Sequence, residues 1–270
     1  MPQTTQDSNF WQKVAVETNT LYRADFSTFS LWLKRSGEDW YIATRQSEEA
    51  SGFSALRPIP DSGEFEDLSF RRWVVGRKAR TVRFVPVMPD RSVVVRPETA
   101  LAVAKARDAL FFLTIPVWIR VVTNPPEGTS LGDFPTQILS NTWFGQPTAG
   151  ELCYALHTRA RRNIADLDPS PCGAICPLSI QNRATRELNF ERLCVRVEHL
   201  ELYRSGERLW SNQLSVRFQG EEQSSQVTIG KGAPKGAANP VRMCEARKPG
   251  SKTLLEHSFS FLRSLTGTYD

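Results

Sequence analysis

Along most of the chain apolar and polar residues alternate with a period of two, the spacing that sends successive side chains to opposite faces of a strand. FSLWLKRSGEDWYIATR (29–45) holds two such runs around RSGED, which predicts a hairpin with glycine at its turn. TVRFVPVMPDRSVVVRP (81–97) predicts a second, turning at MPDRS. LCVRVEHLELYRSGERLWSNQLSVRF (193–218) predicts a third and longer one, turning at RSGE, and SQVTIGKGAP adds a strand with a glycine-rich exit. β-Branched and aromatic residues fill these runs, as half-buried sheet requires. The pattern predicts an all-β fold, an antiparallel β-sandwich rather than an open sheet at this length.

Two stretches depart from the alternation. PETALAVAKARDALFFLTIPVWIRVV (97–122) opens like a helix, yet its β-branched and aromatic second half, broken by a proline, predicts two strands around KARD. In SKTLLEHSFSFLRSLTG the apolar residues Leu255, Phe259 and Leu262 recur at helical spacing between Ser251 and Gly267. That predicts one C-terminal amphipathic helix laid over the sheet or its edge. In VEHLEL the apolar phase changes between Val197 and Leu200, which predicts a β-bulge near Glu198–His199. Bulges re-aim side chains, and His199 enters the candidate site on that ground.

LWLKRSGEDW (31–40) echoes LELYRSGERLW (200–210), and VRFVPVMPDRSVVV (82–95) loosely echoes VRFQGEEQSSQVTI (216–229). The simplest organisation is a single β domain over 1–270. The alternative is a duplicated β-unit, 1–125 and 136–270, joined through the proline- and glycine-rich VTNPPEGTSLGDFP.

Composition narrows the setting. The 270 residues are 40% hydrophobic and 23% charged, the balance of an ordinary globular chain rather than a disordered one. The N-terminal MPQTTQDSNFWQKV has neither a basic n-region nor an apolar h-region, and no apolar run reaches the ~20 residues of a membrane helix. A cytoplasmic protein, most simply a prokaryotic one, is the expectation, with no membrane insertion. Five cysteines, an odd number in such a setting, predict reduced thiols. The net charge of +5 permits anionic partners without demanding them.

The densest chemistry lies in TWFGQPTAGELCYALHTRARR (142–162). Thr148 and Glu151 form a capping-box pattern; in the helix it would start, Cys153 and His157 would sit ~6 Å apart and could pair as nucleophile and base. Ten residues of alternation favour a strand instead, from Glu151 to Arg161, in which the two stand ~13 Å apart. Leu152, Tyr154 and Leu156 then face the core, with Glu151, Cys153, His157, Arg159 and Arg161 opposite. That polar face, walled by Trp143, is a candidate groove for a phosphate or carboxylate ligand, with Arg159 and Arg161 as its forks. The alternative is a solvated outer face covered by arginine stems.

LSNTWFGQPTAGELCYALHTRARR, together with VVVRPE, IPVWIRV and RLCVRVEHLELY, resembles a family of archaeal and bacterial proteins catalogued as a domain of unknown function. The resemblance runs from about Arg72 to Gly220, and TWFG…GELCYAL…AR is its most distinctive part. The family carries no assigned activity, cofactor or catalytic residue, so the resemblance implies no site.

The remaining constellations are weaker. Cys172 and Cys176 in DPSPCGAICPLS have a C-x₃-C spacing that, with Cys153, His157, Cys194 or His199, could make a zinc set. Small apolar neighbours point to buried, inert thiols instead, so neither a metal nor another cofactor is expected. RRWVVGRKARTVR (71–83) carries six positive charges and a tryptophan, a strand able to track a nucleic-acid backbone, with Glu64, Glu66 and Asp67 close by to neutralise it. GKGAPKGAANP lacks the phosphate-loop pattern, and three histidines leave little room for acid–base catalysis. The reading is a non-enzymatic binding protein for a partner protein or a small anionic ligand through Arg159, Arg161, His157, Glu151, Trp143 and His199. A metal-dependent or hydrolytic enzyme is the first alternative, and a nucleic-acid-binding protein the second.

Overall fold

Alternation becomes sheet throughout the computed structural model, which describes residues 10–60, 67–99, 101–123, 128–145, 147–168, 170–190, 192–220, 226–249 and 253–254. The chain forms two compact units and passes between them three times. Met1–Val87 with Val117–Ile138 makes the first unit, and Met88–Pro116 with Leu139–Asp270 the second. The first stretch gives β1 (Lys13–Ala15), β2 (Leu21–Phe26), β3 (Phe29–Ser36), β4 (Asp39–Gln46), β5 (Phe53–Ile59), β6 (Arg71–Val74) and β7 (Thr81–Val87). In the second unit follow β8 (Val93–Pro97), β9 (Leu101–Val103) and β10 (Asp108–Pro116). The chain returns for β11 (Trp118–Thr123) and β12 (Ser130–Pro135). It then completes the second unit with β13 (Asn141–Phe144), β14 (Glu151–Thr158), β15 (Gly173–Asn182), β16 (Leu188–Phe190), β17 (Leu193–Val195) and β18 (Leu202–Ser205). The last strands are β19 (Arg208–Ser211), β20 (Leu214–Phe218), β21 (Gln226–Ile229), β22 (Val241–Cys244) and β23 (Thr253–Leu254).

The first unit holds two antiparallel sheets, in the orders β1-β7-β11-β12 and β5-β2-β3-β4-β6. The predicted hairpin at RSGED is β3–β4, in register from Phe29↔Gln46 to Ser36↔Asp39. Gly37 takes the positive φ of 61° that its tight turn requires. Phe26 of β2 packs its ring against Phe10 and against Phe84 of β7, at 4.8 and 5.5 Å, so an aromatic core ties both sheets together.

Asp25 of β2 is a buried charge of this unit. Its carboxylate accepts hydrogen bonds from Ser30 Oγ (2.7 Å), Ser54 Oγ (2.8 Å) and Arg23 Nε (2.8 Å). Burial alone would push the carboxyl up, but the serines and the guanidinium outweigh it and hold it below its ordinary value. A depressed folded pKa adds stability above the unfolded pKa and loses it as pH falls through the folded one. Asp25→Asn should therefore be less stable than wild type at neutral pH, with the two urea-unfolding curves converging below the ordinary aspartate value of 3.8. A gap that stays constant down to about pH 2 would contradict this account.

In the second unit β15 is the hub. It pairs antiparallel with β10 over nine residues, from Asp108↔Gln181 to Pro116↔Gly173, and parallel with β19 and β20. The resulting sheet runs β22-β18-β19-β15-β20-β21-β23, with β10 also on β15. A second sheet, β13-β14-β8-β17, is centred on VVV of β8, whose three valines are fully enclosed. The first two β16 residues, with Phe190, pair with β9 as a separate ribbon.

Several expectations are corrected. Residues 81–97 are not a hairpin: β7 pairs with β1 and β11, whereas β8 pairs with β14 and β17. The break at MPDRS is where the chain leaves one unit for the other. The two strands around KARD exist as β9 and β10, each with its own partner. The break at Glu198–His199 is a 3-10 turn, Val197–His199, rather than a bulge; it turns Glu198 inward and leaves His199 partly exposed. Where the C-terminal helix was expected, Thr253–Leu254 pair with Thr228 and Val227 as strand, and the rest of that segment lies outside the described residues. Among the described residues no helix is long and apolar enough to cross a membrane.

Candidate functional site

The sheet β13-β14-β8-β17 is built from the segments that carry the family resemblance: TWF of β13, GELCYALHT at β14, VVVRP of β8 and LCV of β17. β14 and β17 lie on either side of β8. Cys194 sits opposite Val94, and Tyr154, next to Cys153, opposite Val93. The two thiols thereby meet over β8 in a pocket closed by Val94 and Phe144, where both are buried.

The surroundings are charged. Glu151, two residues before Cys153 and on the same face of β14, takes a two-pronged grip from Arg196: Nη2 to Oε1 at 2.9 Å and Nη1 to Oε2 at 3.0 Å. Cys194 Sγ lies 3.9 Å from the same Oε1. Glu198, with its side chain 5% exposed, accepts from Ser92 Oγ at 3.4 Å and faces Lys248 Nζ at 3.8 Å. The closeness of the two thiols splits their acidities. The neighbouring Cys194 lets the proton leave Cys153 more readily than usual, while Cys153 and burial hold the proton on Cys194. Two thiols and a carboxylate form a donor set of the kind a thiophilic cation takes.

β14 ends at Thr158, and its faces differ from the alternation rule. Cys153 is inside and Leu152 outside, 49% exposed and directly across from Trp143, itself 48% exposed. Leu156 is buried as expected, and Tyr154 is half-buried, its hydroxyl donating to Asp90 at 2.9 Å. Along β14, residues 151–154 pair with β13 and 154–158 with β8. Gly150 is required here: a Cβ at this position would stand 2.3 Å from Trp143 Nε1.

The structure places each of the six residues singled out from sequence in its own surroundings. Glu151 is engaged with Arg196, and Trp143 sits on the neighbouring strand beside Leu152. His157 is exposed near the end of β14. Arg159 is exposed and paired with Glu98 at 3.0 Å and Asp168 at 3.8 Å. Arg161, half-buried, bridges Phe112 through its backbone. His199 Nδ1 lies 2.7 Å from the carbonyl of Lys248. Cys172 and Cys176 are fully buried away from the thiol pair; burial pushes both thiols up, Cys176 to about 12 despite a hydrogen bond with Ser211.

A second polar feature lies wholly in the first unit. The β3–β4 turn, β6 and the loop after it enclose an open groove of about 610 Å³ lined by Arg35, Arg72, Arg77, Arg80, Glu38 and Asp39, among others. Arg35 is held by Val16 O (3.1 Å) and Thr18 Oγ1 (2.6 Å). Arg72 pairs with Asp39 at 2.7 Å and Arg77 with Glu38 at 2.6 Å. Four guanidinium groups against two carboxylates leave the groove with two positive charges in excess, and Arg80 is exposed without a carboxylate partner among the described residues. Among the described residues, the acids paired with this basic stretch are Glu38 and Asp39 of the hairpin tip, while Glu64 and Glu66, expected to neutralise it, lie outside the described residues.

Comparison with known proteins matches residues 10–263 to a family model described as a protein of unknown function (DUF432), a longer span than the Arg72–Gly220 stretch in which the resemblance is visible. No curated protein matches the chain.

Proposed function

Because the chain belongs to the DUF432 family, whose description names no activity to carry over, we propose from its own geometry that it is a non-enzymatic binding protein for a small anionic ligand of the phosphate or carboxylate class. In this reading it is a cytoplasmic, prokaryotic protein built on a β-sandwich scaffold. The observation that carries the reading is the arginine groove of the first unit, with its excess of two positive charges. Arg72 and Arg77 are tied to their carboxylates only by surface ion pairs screened by solvent, which an oxyanion can displace at little cost. A guanidinium fork offers such an oxyanion two parallel hydrogen bonds. Arg35, fixed by Val16 and Thr18, gives the floor a charge that does not move.

The test is calorimetric titration of the full chain with pyrophosphate and with citrate. Saturable binding is expected, with affinity falling at least about tenfold in Arg77→Glu/Arg80→Glu, the loss of about one charge-assisted hydrogen bond or more. Arg159→Glu/Arg161→Glu is the comparison. If that pair loses affinity and the groove pair does not, the site belongs at the end of β14, as read from sequence. Equal affinity in all three proteins, or no binding, overturns the proposal. Tighter binding of a single-stranded oligonucleotide with a steep salt dependence would replace it with the nucleic-acid reading.

A further inference from the structure

We propose that Glu151, Cys153 and Cys194 form a binding site for a thiophilic divalent cation of the zinc class, independent of the anion groove. The ligand atoms of these three residues, two sulfurs and one carboxylate oxygen, all lie within 4.8 Å of one another. Tetrahedral zinc with sulfur at about 2.3 Å and oxygen at about 2.0–2.2 Å spaces its ligand atoms roughly 3.5–3.8 Å apart. A contraction of at most about 1.3 Å converts the present cluster into that geometry, and rotations of three side chains would supply it.

The strand order decides against the other use of a close thiol pair. Cys153 and Cys194 belong to β14 and β17, which are separated by β8. Two interstrand spacings amount to roughly 9.5 Å between backbones. A disulfide tolerates at most about 7 Å between Cα atoms. The sulfurs lie within 4.8 Å of each other while the strand spacing sets the backbones too far apart to be bridged covalently, and an ion of about 2.3 Å bond length fills that separation naturally.

Charge and orientation agree. Once a cation has displaced both thiol protons, Cys153, Cys194, Glu151 and Glu198 carry four negative charges against Arg196 and Lys248, leaving two for a divalent ion to cancel. Glu151 Oε1 is the oxygen nearest Cys194, and Oε2 can keep its bond to Arg196 Nη1 while Oε1 turns to the metal. Arg196 then acts as the partner that orients the metal-bound carboxylate, as outer-shell groups commonly do. Cys153 and Cys194 are enclosed, while the Glu151 and Arg196 side chains are 35% and 24% exposed, so ions enter past the carboxylate. Three protein ligands leave the fourth position to water or an exogenous group, the pattern of an open rather than a closed site.

Cobalt(II) titration of the full chain in a Cys244→Ser background, which removes the most accessible thiol, tests the proposal. One equivalent should bind, with the intense thiolate-to-cobalt absorption and visible bands of a tetrahedral sulfur site, and zinc should displace it. Cys153→Ser and Cys194→Ser should each abolish the sulfur absorption; Glu151→Gln should weaken binding by about tenfold or more while keeping it. Cys172→Ser should leave it unchanged. Should the serine variants fail to fold, thiol counting on the Cys244→Ser protein decides: zinc must protect two of the four remaining thiols from a disulfide reagent, and mass mapping must place the protection on Cys153 and Cys194. Absence of stoichiometric cobalt binding, or binding indifferent to Cys153 and Cys194, overturns the proposal. Neither result bears on the anion groove.

Discussion

Asn182→Asp is expected to destabilise the second unit by about 3–5 kcal/mol at neutral pH, although it changes one atom of a side chain. Asn182 is fully enclosed at the end of β15. Its Nδ2 donates to the carbonyls of Val103 (2.9 Å), Ala104 (3.3 Å) and Arg186 (2.9 Å), and its Oδ1 accepts from Ala184 N at 2.9 Å. One amide thus fastens the β9 exit and the 183–186 turn to the hub strand. An aspartate keeps the acceptor but aims a second oxygen at three carbonyl oxygens. The nearby Arg183 offers no rescue, since it already grips Asp108 at 2.6 and 3.0 Å.

The buried acid would relieve part of this by keeping its proton, so its folded pKa lies above the unfolded one. A raised carboxyl pKa penalises the fold most above that value, and the penalty shrinks as pH falls through it. Urea unfolding should therefore show the Asp variant well below Asn182→Ala at about pH 7 and close to it at about pH 4. The alanine variant, which loses the bonds without gaining a charge, should cost about 2–3 kcal/mol at both. An Asp variant no worse than Ala at neutral pH would remove the three-carbonyl argument.

Local structure was legible where turn and alternation agree. The hairpins β3–β4 and β18–β19 both turn at RSG, with Gly37 and Gly206 at positive φ, and both were expected from sequence. Two strands around KARD were legible for the same reason. Pairing was not. MPDRS has turn chemistry as good as RSGED, yet it joins strands of different units, because turn residues report a local break and carry no information on distant partners. The interrupted phase at Val197–His199 was visible, but a bulge and a 3-10 turn leave the same trace in the pattern.

The thiol site was hidden for a related reason. Spacing rules pointed to Cys172 and Cys176, four residues apart, while the cysteines that meet are 153 and 194, on strands that only the topology brings together. Assigning Cys153 to the polar face of β14 compounded this. Cysteine is among the residues most often fully buried, and treating its thiol as polar inverted the face. Glu151 was singled out from sequence, but the residue that engages it, Arg196, lies 45 positions away. Arg159 and Arg161 were chosen because they cluster in sequence; in the fold Arg159 has carboxylate partners, and the basic excess gathers instead around the β3–β4 turn.

That turn rests on Trp40, which yields the other large effect. Trp40 of β4 is wholly enclosed, opposite Arg35 of β3 on one side and Trp73 of β6 on the other. Trp40→Ala should cost about 3–5 kcal/mol through the cavity it leaves. Anion binding in the groove should fall with it, since Arg35 and Asp39 lose the indole against which their strands are set. The indole N–H has no hydrogen-bond partner among the described residues. Trp40→Phe therefore forfeits no hydrogen bond and removes a buried unsatisfied donor, so it should cost under about 1.5 kcal/mol and leave pyrophosphate affinity within about twofold. Guanidinium unfolding followed by circular dichroism separates the two variants, and titration of each at a temperature where it stays folded reads the groove. If phenylalanine costs as much as alanine, the indole nitrogen is engaged in the folded protein and Trp40 does more than fill space. If alanine keeps full pyrophosphate affinity while folded, the groove does not depend on this strand pairing, and the anion site must be sought elsewhere on the chain.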